Sequence, residues 1–178
     1  MNKLNARLLL GLCLAAASPG ALAQGAHVHG SAELRVAVEN SRLTVEFRSP
    51  LNNLVGFEHA PRTDAQRAAV KAMTASLNRP DTLLKLPKAA ACTAAPARIE
   101  SPLDSPKSAK TARKGRDDDH AELTAAYRFD CASVHALDSI EVAIFDAFPR
   151  TTAIQAQVIG PRGQSAPRLT PKRRTIKL

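Results

Sequence analysis

The sequence predicts an α+β domain, in which a mainly antiparallel β-sheet is partly covered by one helix over about residues 63–78. Two observations predict the sheet: apolar and polar residues alternate in several short runs, and turn residues separate these runs. A third observation predicts the helix, because apolar residues between 65 and 77 recur at a spacing of four. A chain of 178 residues is long enough for one such domain with a modest core.

The first two strands form a predicted hairpin. Residues 33–39 place leucine and valine on one face and mostly charged residues on the other, and residues 42–48 repeat this alternation. Asn40 and Ser41 lie between the two runs as a short turn. Pro50 is expected to end the second strand.

The helix follows an irregular segment with apolar anchors at residues 51–61. Thr63 and Gln66 have the spacing of a capping box, which predicts the start of the helix. The run Asn78-Arg79-Pro80 is expected to stop it. One face of the helix carries Ala65, Ala69, Met73 and Leu77.

A polar, mobile insertion is predicted over about residues 101–119, after a weak strand at 98–100. Serine, proline, lysine, alanine and arginine dominate the insertion, and no large apolar residue follows Leu103. It ends in an acidic run at Asp117, Asp118 and Asp119, directly before His120.

Three more strands are predicted in the second half of the chain. Their apolar residues alternate over 123–129, 140–144 and 154–158. Cys131 has the parity of the apolar face of the first of these strands. A turn is expected at 160–163, and a short basic strand near Leu169.

The first 23 residues have the pattern of a cleavable signal peptide. Lys3 and Arg7 form a positive region before a short apolar stretch, and Ala21-Leu22-Ala23 matches an A-x-A cleavage site. Cleavage would leave a single exported domain over residues 24–178. No transmembrane anchor is expected, since no stretch approaches the roughly 20 apolar residues that span a bilayer.

The charge of the chain limits the classes of partner that it can bind. The formal net charge is +9, and removal of Lys3 and Arg7 with the leader lowers it to about +7. The cations concentrate at 107–116 and in the tail Lys172-Arg173-Arg174. Nucleic acid is not expected as a partner, because the chain has no tryptophan and one tyrosine on which bases can stack. The alternative left open is an envelope interaction domain that binds an anionic surface or a protein partner through this insertion and tail.

No enzymatic function is expected. The sequence contains no G-x-S-x-G elbow, no phosphate-cradling glycine loop and no H-E-x-x-H motif. Cys92 and Cys131 are the cysteines left after cleavage, and in an oxidising compartment an even pair most simply forms a disulfide. The alternative, a thiolate pair that binds metal, needs a reducing environment.

Histidines near acidic residues are the candidate metal ligands, and each has an alternative structural interpretation. If the first strand extends backward, His27 and His29 fall about 7 Å apart on the face of Glu33 and Arg35, away from the core. A terminal pair of this kind is also common as exposed surface. Glu58-His59 lies in the irregular segment, and it can instead stabilise that loop by hydrogen bonds to the backbone. Asp119 ends the acidic run directly before His120, and the acids of this run can instead offset the charge of nearby cations. His135 is expected to be a turn residue.

Several of these segments together resemble the ZrgA-like zinc-regulated periplasmic proteins. The segments are His27-Val28-His29-Gly30-Ser31-Ala32-Glu33-Leu34, Ser49-Pro50-Leu51, Gly56-Phe57-Glu58-His59-Ala60-Pro61, Cys92, Tyr127-Arg128-Phe129-Asp130-Cys131 and Phe145-Asp146-Ala147-Phe148-Pro149. The resemblance implies a periplasmic protein that binds zinc and assists its acquisition, beside a zinc transporter of the ABC type or its binding protein. It also implies that Cys92 and Cys131 are the family's cysteine pair.

The resemblance places the metal site in the histidine motifs. The expected ligands are His29, His59 and His120, with Glu58, Asp119 or water completing a tetrahedral zinc site and His27 as an alternative ligand. One departure is that the family's histidine- and aspartate-rich loop is here a lysine- and arginine-rich insertion. Positive charge beside the site opposes cation binding, so at most one zinc site is expected.

Overall fold

The computed structural model describes residues 30–103 and 121–178. Eleven strands occur in these two ranges: β1 (Ser31–Glu39), β2 (Arg42–Pro50), β3 (Leu84–Lys85), β4 (Cys92–Ala94), β5 (Arg98–Glu100), β6 (Glu122–Cys131), β7 (Ser139–Val142), β8 (Ala153–Gly160), β9 (Gly163–Ser165), β10 (Arg168–Leu169) and β11 (Thr175–Lys177). The α-helices in the same ranges are α1 (Leu51–Val55), α2 (Asp64–Leu77), α3 (Pro80–Leu83) and α4 (Ile144–Ala147). Single 3₁₀ turns lie at Lys88–Ala90 and Val134–Ala136.

The main sheet has the strand order β10-β8-β1-β2-β6-β4, with β9 also along β8 and β5 also along β6. All its pairs are antiparallel except β1 with β8, which is parallel. A second, small sheet has the order β11-β7-β3. The antiparallel-dominated sheets and the few helices confirm the predicted α+β class.

The core lies on one face of the main sheet. Apolar residues that alternate along β1, β2, β6 and β8 are buried there together with residues from the helices and the small sheet. In α2, Met73 and Leu77 are buried whereas Ala65 is exposed, so the C-terminal half of this helix makes most of the contact. The opposite face of the main sheet carries charged and small residues.

The local predictions are confirmed for the first hairpin and the long helix. Strands β1 and β2 pair from Glu33↔Arg48 to Glu39↔Arg42. Thr63 caps α2: its side chain accepts from the Gln66 backbone N–H, and Gln66 accepts from the Thr63 backbone N–H. Strand β6 buries the predicted face and includes Cys131.

Two predictions about local structure are wrong. Residues 51–61 are not irregular throughout, because the first five form α1. Ile144 does not continue a strand with Ile140 and Val142; β7 ends at Val142, and Ile144 begins α4. Ile144, Phe145 and Phe148 have the i, i+1, i+4 spacing of one helical turn, and that turn buries all three.

Several predicted features lie at the edge of the described residues or outside them. Leu103, in the predicted insertion, is partly buried against the core. Residues 104–120, which hold the rest of the insertion, and the leader at 1–23 lie outside the described residues. Among the described residues, no helix combines the length and the apolar character needed to cross a bilayer.

Candidate metal centre

The described residues that border the histidine motifs lie at one end of the main sheet. At this end β1, β6 and β8 begin and β2 ends: Ser31 pairs with Ala153, and Pro50 pairs with Glu122. Helix α1 starts directly after Pro50, so it lies at the same end. The residues just before β1 and just before β6 therefore enter the fold beside α1.

Asn53 of α1 fixes the residue that follows His29. Its Oδ1 accepts from the Gly30 backbone N–H at 2.9 Å, and its Nδ2 donates to the Ser31 carbonyl at 2.8 Å and to Ser49 Oγ at 3.3 Å. Asn53 is 2% exposed, so these groups would lack water as a substitute partner. The Gly30 carbonyl in turn accepts from the Thr152 backbone N–H at 2.8 Å.

Gly30 has a conformation that suits a residue without a side chain. Its φ is +83°, and an added Cβ would lie 2.5 Å from Thr152 Oγ1 and 3.2 Å from the Arg150 carbonyl oxygen. Strand β1 begins directly after Gly30, at Ser31. The predicted placement of His27 and His29 on the face of Glu33 and Arg35 falls outside the described residues.

Helix α1 also fixes the residue that follows His120. The backbone N–H of Leu51, at the first position of α1, donates to the Ala121 carbonyl at 2.9 Å. This N–H has no partner within the helix, so the bond satisfies a group that every helix start leaves free. Beside it, Arg48 Nε pairs with Glu122 Oε1 at 3.1 Å. Asp119 and His120 themselves lie outside the described residues.

The third motif, Glu58-His59, follows the C-terminal end of α1. Gly56 caps the helix with φ +86°, and its N–H donates to the Asn52 carbonyl. An added Cβ at Gly56 would lie 3.3 Å from Nε, Cζ and Nη2 of Arg150, so that guanidinium covers the turn. Glu58 and His59 follow in the loop that leads to the capping box of α2.

One ring nitrogen of His59 is engaged by the backbone. Its Nδ1 lies 2.9 Å from the Ala60 carbonyl oxygen, and because that oxygen can only accept, Nδ1 carries the proton. In the neutral ring, Nε2 then holds the free lone pair. Its ring also stacks on Phe57 with centroids 5.2 Å apart. Histidines that bind metals usually donate their other ring N–H in this way.

The described residues alone do not assemble a metal site. They contain no group of three or more His, Cys, Asp or Glu side chains with a suitable arrangement. Glu58 and His59 are the two predicted ligands that the structure describes; Glu58 is half-buried and His59 exposed. The other predicted ligands, His27, His29, Asp119 and His120, lie outside the described ranges.

The cysteine pair forms the predicted disulfide. Cys92 of β4 and Cys131 of β6 are directly opposite in the register, with an S–S distance of 2.07 Å. Cys131 ends β6, so the bridge lies at the other end of this strand from Ala121. His135, on the 3₁₀ turn after Cys131, is likewise remote from α1. Neither cysteine is available as a thiolate ligand.

The roles of Gly30, Leu51, Asn53 and Ala121 were not evident from the sequence. One signal was available at Gly30, where a glycine directly follows an H-x-H pair and directly precedes a strand. The hydrogen bonds of Leu51 and Asn53 join residues far apart in the chain, and no local pattern encodes them.

Two comparisons with known proteins bear on the family of this chain. No curated protein matches the chain significantly. The family described as ZrgA family zinc uptake protein matches residues 26–178. This range includes both histidine motifs, the Glu58-His59 loop and the disulfide. On this match, the chain belongs to the ZrgA family of zinc uptake proteins.

Proposed function

We propose that this chain is a periplasmic zinc-binding protein that assists zinc acquisition without catalysing a reaction. Residues 1–23 serve as a cleaved signal peptide, and residues 24–178 form one domain. The family match supports the zinc-related role, and it begins at residue 26, just past the proposed cleavage site. Zinc is the cargo of this protein.

The observation that carries the proposal is that α1 holds the residues bordering two histidine motifs and ends directly before the third. Leu51 holds Ala121, Asn53 holds Gly30, and Gly56 begins the loop of His59. Leu51 and Asn53 differ by about 3 Å along the helix axis. The Cα atoms of His29 and His120 are each about 3.8 Å from those of Gly30 and Ala121, whatever conformation they take.

Three imidazoles and one oxygen ligand make up the proposed site. His29, His59 and His120 supply nitrogens, and Glu58, Asp119 or water supplies the fourth ligand of a tetrahedral set. His27 is an alternative to His29. The free Nε2 of His59 supports its place in this set, because its Nδ1 is already engaged by the Ala60 carbonyl.

The proposal limits the protein to one zinc ion. The insertion contributes lysine and arginine where the family resemblance implies histidine and aspartate, and these charges oppose further cations. Salt at about 0.15 M screens charges that lie more than about 8 Å from the ion. A single-site carrier fits a role beside a zinc transporter of the ABC type or its binding protein.

The second candidate is an envelope interaction domain that uses the basic tail. Lys172 and Arg173 are exposed and form no ion pair within the described part of the chain, which favours this function. Arg174 does not contribute, because it donates to both oxygens of Asp146 at 2.7 Å and to Glu141 at 2.8 Å. The tail therefore offers two available cations rather than three.

Titration calorimetry of the mature protein with zinc at pH 7.5 tests the proposal. We expect one saturable site, a loss of at least tenfold in affinity in His59→Ala, and no measurable site in the His29/His59/His120 triple alanine variant. His135→Ala is the matched control, since it removes an exposed histidine at the remote end of β6. Absence of saturable binding, or equal binding by the triple variant, would contradict the proposal. Chelator-independent binding to anionic vesicles would favour the second candidate.

A further inference from the structure

The face of the main sheet opposite the core contains an open groove of about 640 Å³. We call it the outer groove, and define it by two rows of side chains that cross the strands. The strand registers place Ile159, Ala37, Thr44 and Arg128 in one row. They place Gln157, Arg35, Glu46, Ala126 and Arg98 in the next row.

The shape of the groove follows from these rows. Small residues, Ala37, Thr44 and Ala126, occupy the middle strands and form the floor. In the first row, the longer side chains of Ile159 and Arg128 stand at the two ends. In the second row, Arg35 and Glu46 stand beside the floor, and Gln157 and Arg98 stand at the ends. The floor is therefore a depression in a face that otherwise carries charged side chains, and no element of the described chain covers it.

One end of the groove has excess positive charge. Arg98 and Arg128 lie on adjacent strands, diagonally offset by two residues on the same face. Arg98 makes no ion pair with any described residue. Arg128 reaches Asp130 only at 3.9 Å, and Asp130 also holds Arg42 at 3.1 Å. By contrast, Arg35 is paired with Glu46 at 3.4 Å.

The other end of the groove is apolar. Ile159 is 53% exposed, and it is the one large hydrophobic side chain classed as exposed in the described ranges. It lies three strands from Arg128, a separation of about 14 Å at the usual strand spacing. An extended polypeptide covers that distance in about four residues.

We propose that the outer groove binds an extended segment of a partner protein that carries a carboxylate and, about four residues away, a large apolar side chain. The carboxylate accepts hydrogen bonds from Arg98 and Arg128, and guanidinium–carboxylate pairs of this kind are strong and directional. The apolar side chain packs on Ile159 and the alanine floor. Charge complementarity selects an acidic partner, because three arginines line the groove against one glutamate.

This surface is independent of the proposed zinc site. Ala37 lies six residues along β1 from Ser31, about 20 Å from the end of the sheet that holds α1. A partner bound in the outer groove therefore leaves the zinc end uncovered. The inference goes beyond zinc binding, and it assigns the protein a docking function.

Panning a library of random 12-residue peptides on immobilised mature protein tests this inference. The enriched peptides are then synthesised with a fluorescent label, and their Kd values are measured by anisotropy. We expect enrichment of sequences with an acidic and a large apolar residue three to five positions apart. Arg98→Glu/Arg128→Glu is expected to weaken their binding by at least tenfold, and Ile159→Asp by a similar factor.

Lys71→Glu/Arg79→Glu is the matched control, because it makes the same change in net charge at exposed positions outside the groove. It is expected to change Kd by less than twofold, and circular dichroism checks that every variant is folded. The proposal is overturned if no such sequences are enriched or if they bind the Arg98/Arg128 variant equally. It is also overturned if the groove variants instead abolish binding to phosphatidylglycerol vesicles or self-association. Zinc calorimetry of the same variants is expected to be unchanged, which separates this proposal from the zinc site.

Discussion

The Gly30 backbone N–H donates to Oδ1 of Asn53 at 2.9 Å, and this bond joins the residue after the histidine pair to the first helix of the domain. The two residues are 23 positions apart in the chain. Asn53 therefore links the start of β1 to the loop that carries His59. The effects of substituting Asn53 on stability and on zinc binding can be measured separately.

Asn53→Ala is expected to lower the free energy of unfolding by about 2–3 kcal/mol, because it leaves the buried N–H of Gly30 and the carbonyl of Ser31 without partners. Urea denaturation measures this change. Asn78→Ala is the control: Asn78 is exposed, and its Nδ2 makes one bond, to the Thr74 carbonyl. Equal losses in the two variants would contradict the role assigned to Asn53. Zinc affinity is expected to fall in Asn53→Ala alone.

Gly30→Ala tests the crowding at the start of β1. The substitution is expected to cost at least 1 kcal/mol more in unfolding free energy than Gly163→Ala. Both residues have positive φ, and a non-glycine residue there costs about 1–2 kcal/mol. Only at Gly30 must Thr152 also move, since a Cβ at Gly163 would meet no atom within 4 Å. Thermal and urea unfolding of both variants give the comparison, and an equal cost would show that crowding is unimportant.

The double variant Cys92→Ser/Cys131→Ser is expected to lose about 4 kcal/mol of unfolding free energy. The bridge spans 39 positions, and the chain-entropy relation gives this value for a loop of that size. Guanidinium denaturation checks it. Reduced wild-type protein serves as the control and should match the variant. A loss below 1 kcal/mol would mean that the rest of the main sheet already restrains these ends.

Thr63→Ala is expected to destabilise the protein by about 1 kcal/mol through loss of the capping box of α2. Thr74→Ala, at an exposed position inside the same helix, should be neutral or slightly stabilising. Urea midpoints of the two variants distinguish a capping effect from a general effect of removing threonine. If the two midpoints agree, the capping interaction contributes nothing measurable.

Acidification is expected to weaken zinc binding. Imidazole binds a metal through a deprotonated nitrogen, and unperturbed imidazole titrates near pH 6.5, so protons compete with zinc below that pH. We expect the zinc Kd at pH 5.5 to be at least tenfold larger than at pH 7.5, as measured by calorimetry. A Kd that stays constant over this range would indicate carboxylate ligands instead of the three histidines.

The fold was predictable where the sequence pattern is local. Alternation predicted β1, β2, β6 and β8, and the Thr63–Gln66 spacing predicted the start of α2. The parallel pairing of β1 with β8 was not predicted, because it joins residues more than 100 positions apart. The two- and three-residue strands of the small sheet are too short to show a period.

The candidate site was predictable only as a set of motifs. Glu58-His59 stood out because histidine and glutamate are adjacent in an apolar segment. The Asn53 side chain and the Leu51 N–H hold the residues that border two of these motifs, and these contacts depend on α1, which the sequence did not predict. Asn53 looked like an ordinary loop residue. Its importance follows from burial, which a single sequence does not display.

The Cys92–Cys131 bridge has a consequence for proteolysis. The loop that it closes contains β4, β5, all of β6 and every residue from 104 to 120. A protease that cuts once in 104–120 therefore produces two fragments that remain covalently joined. Such a nicked protein would migrate as one species on a non-reducing gel and as two after reduction, while the pairing of β4 and β5 with β6 keeps both fragments in the same sheet.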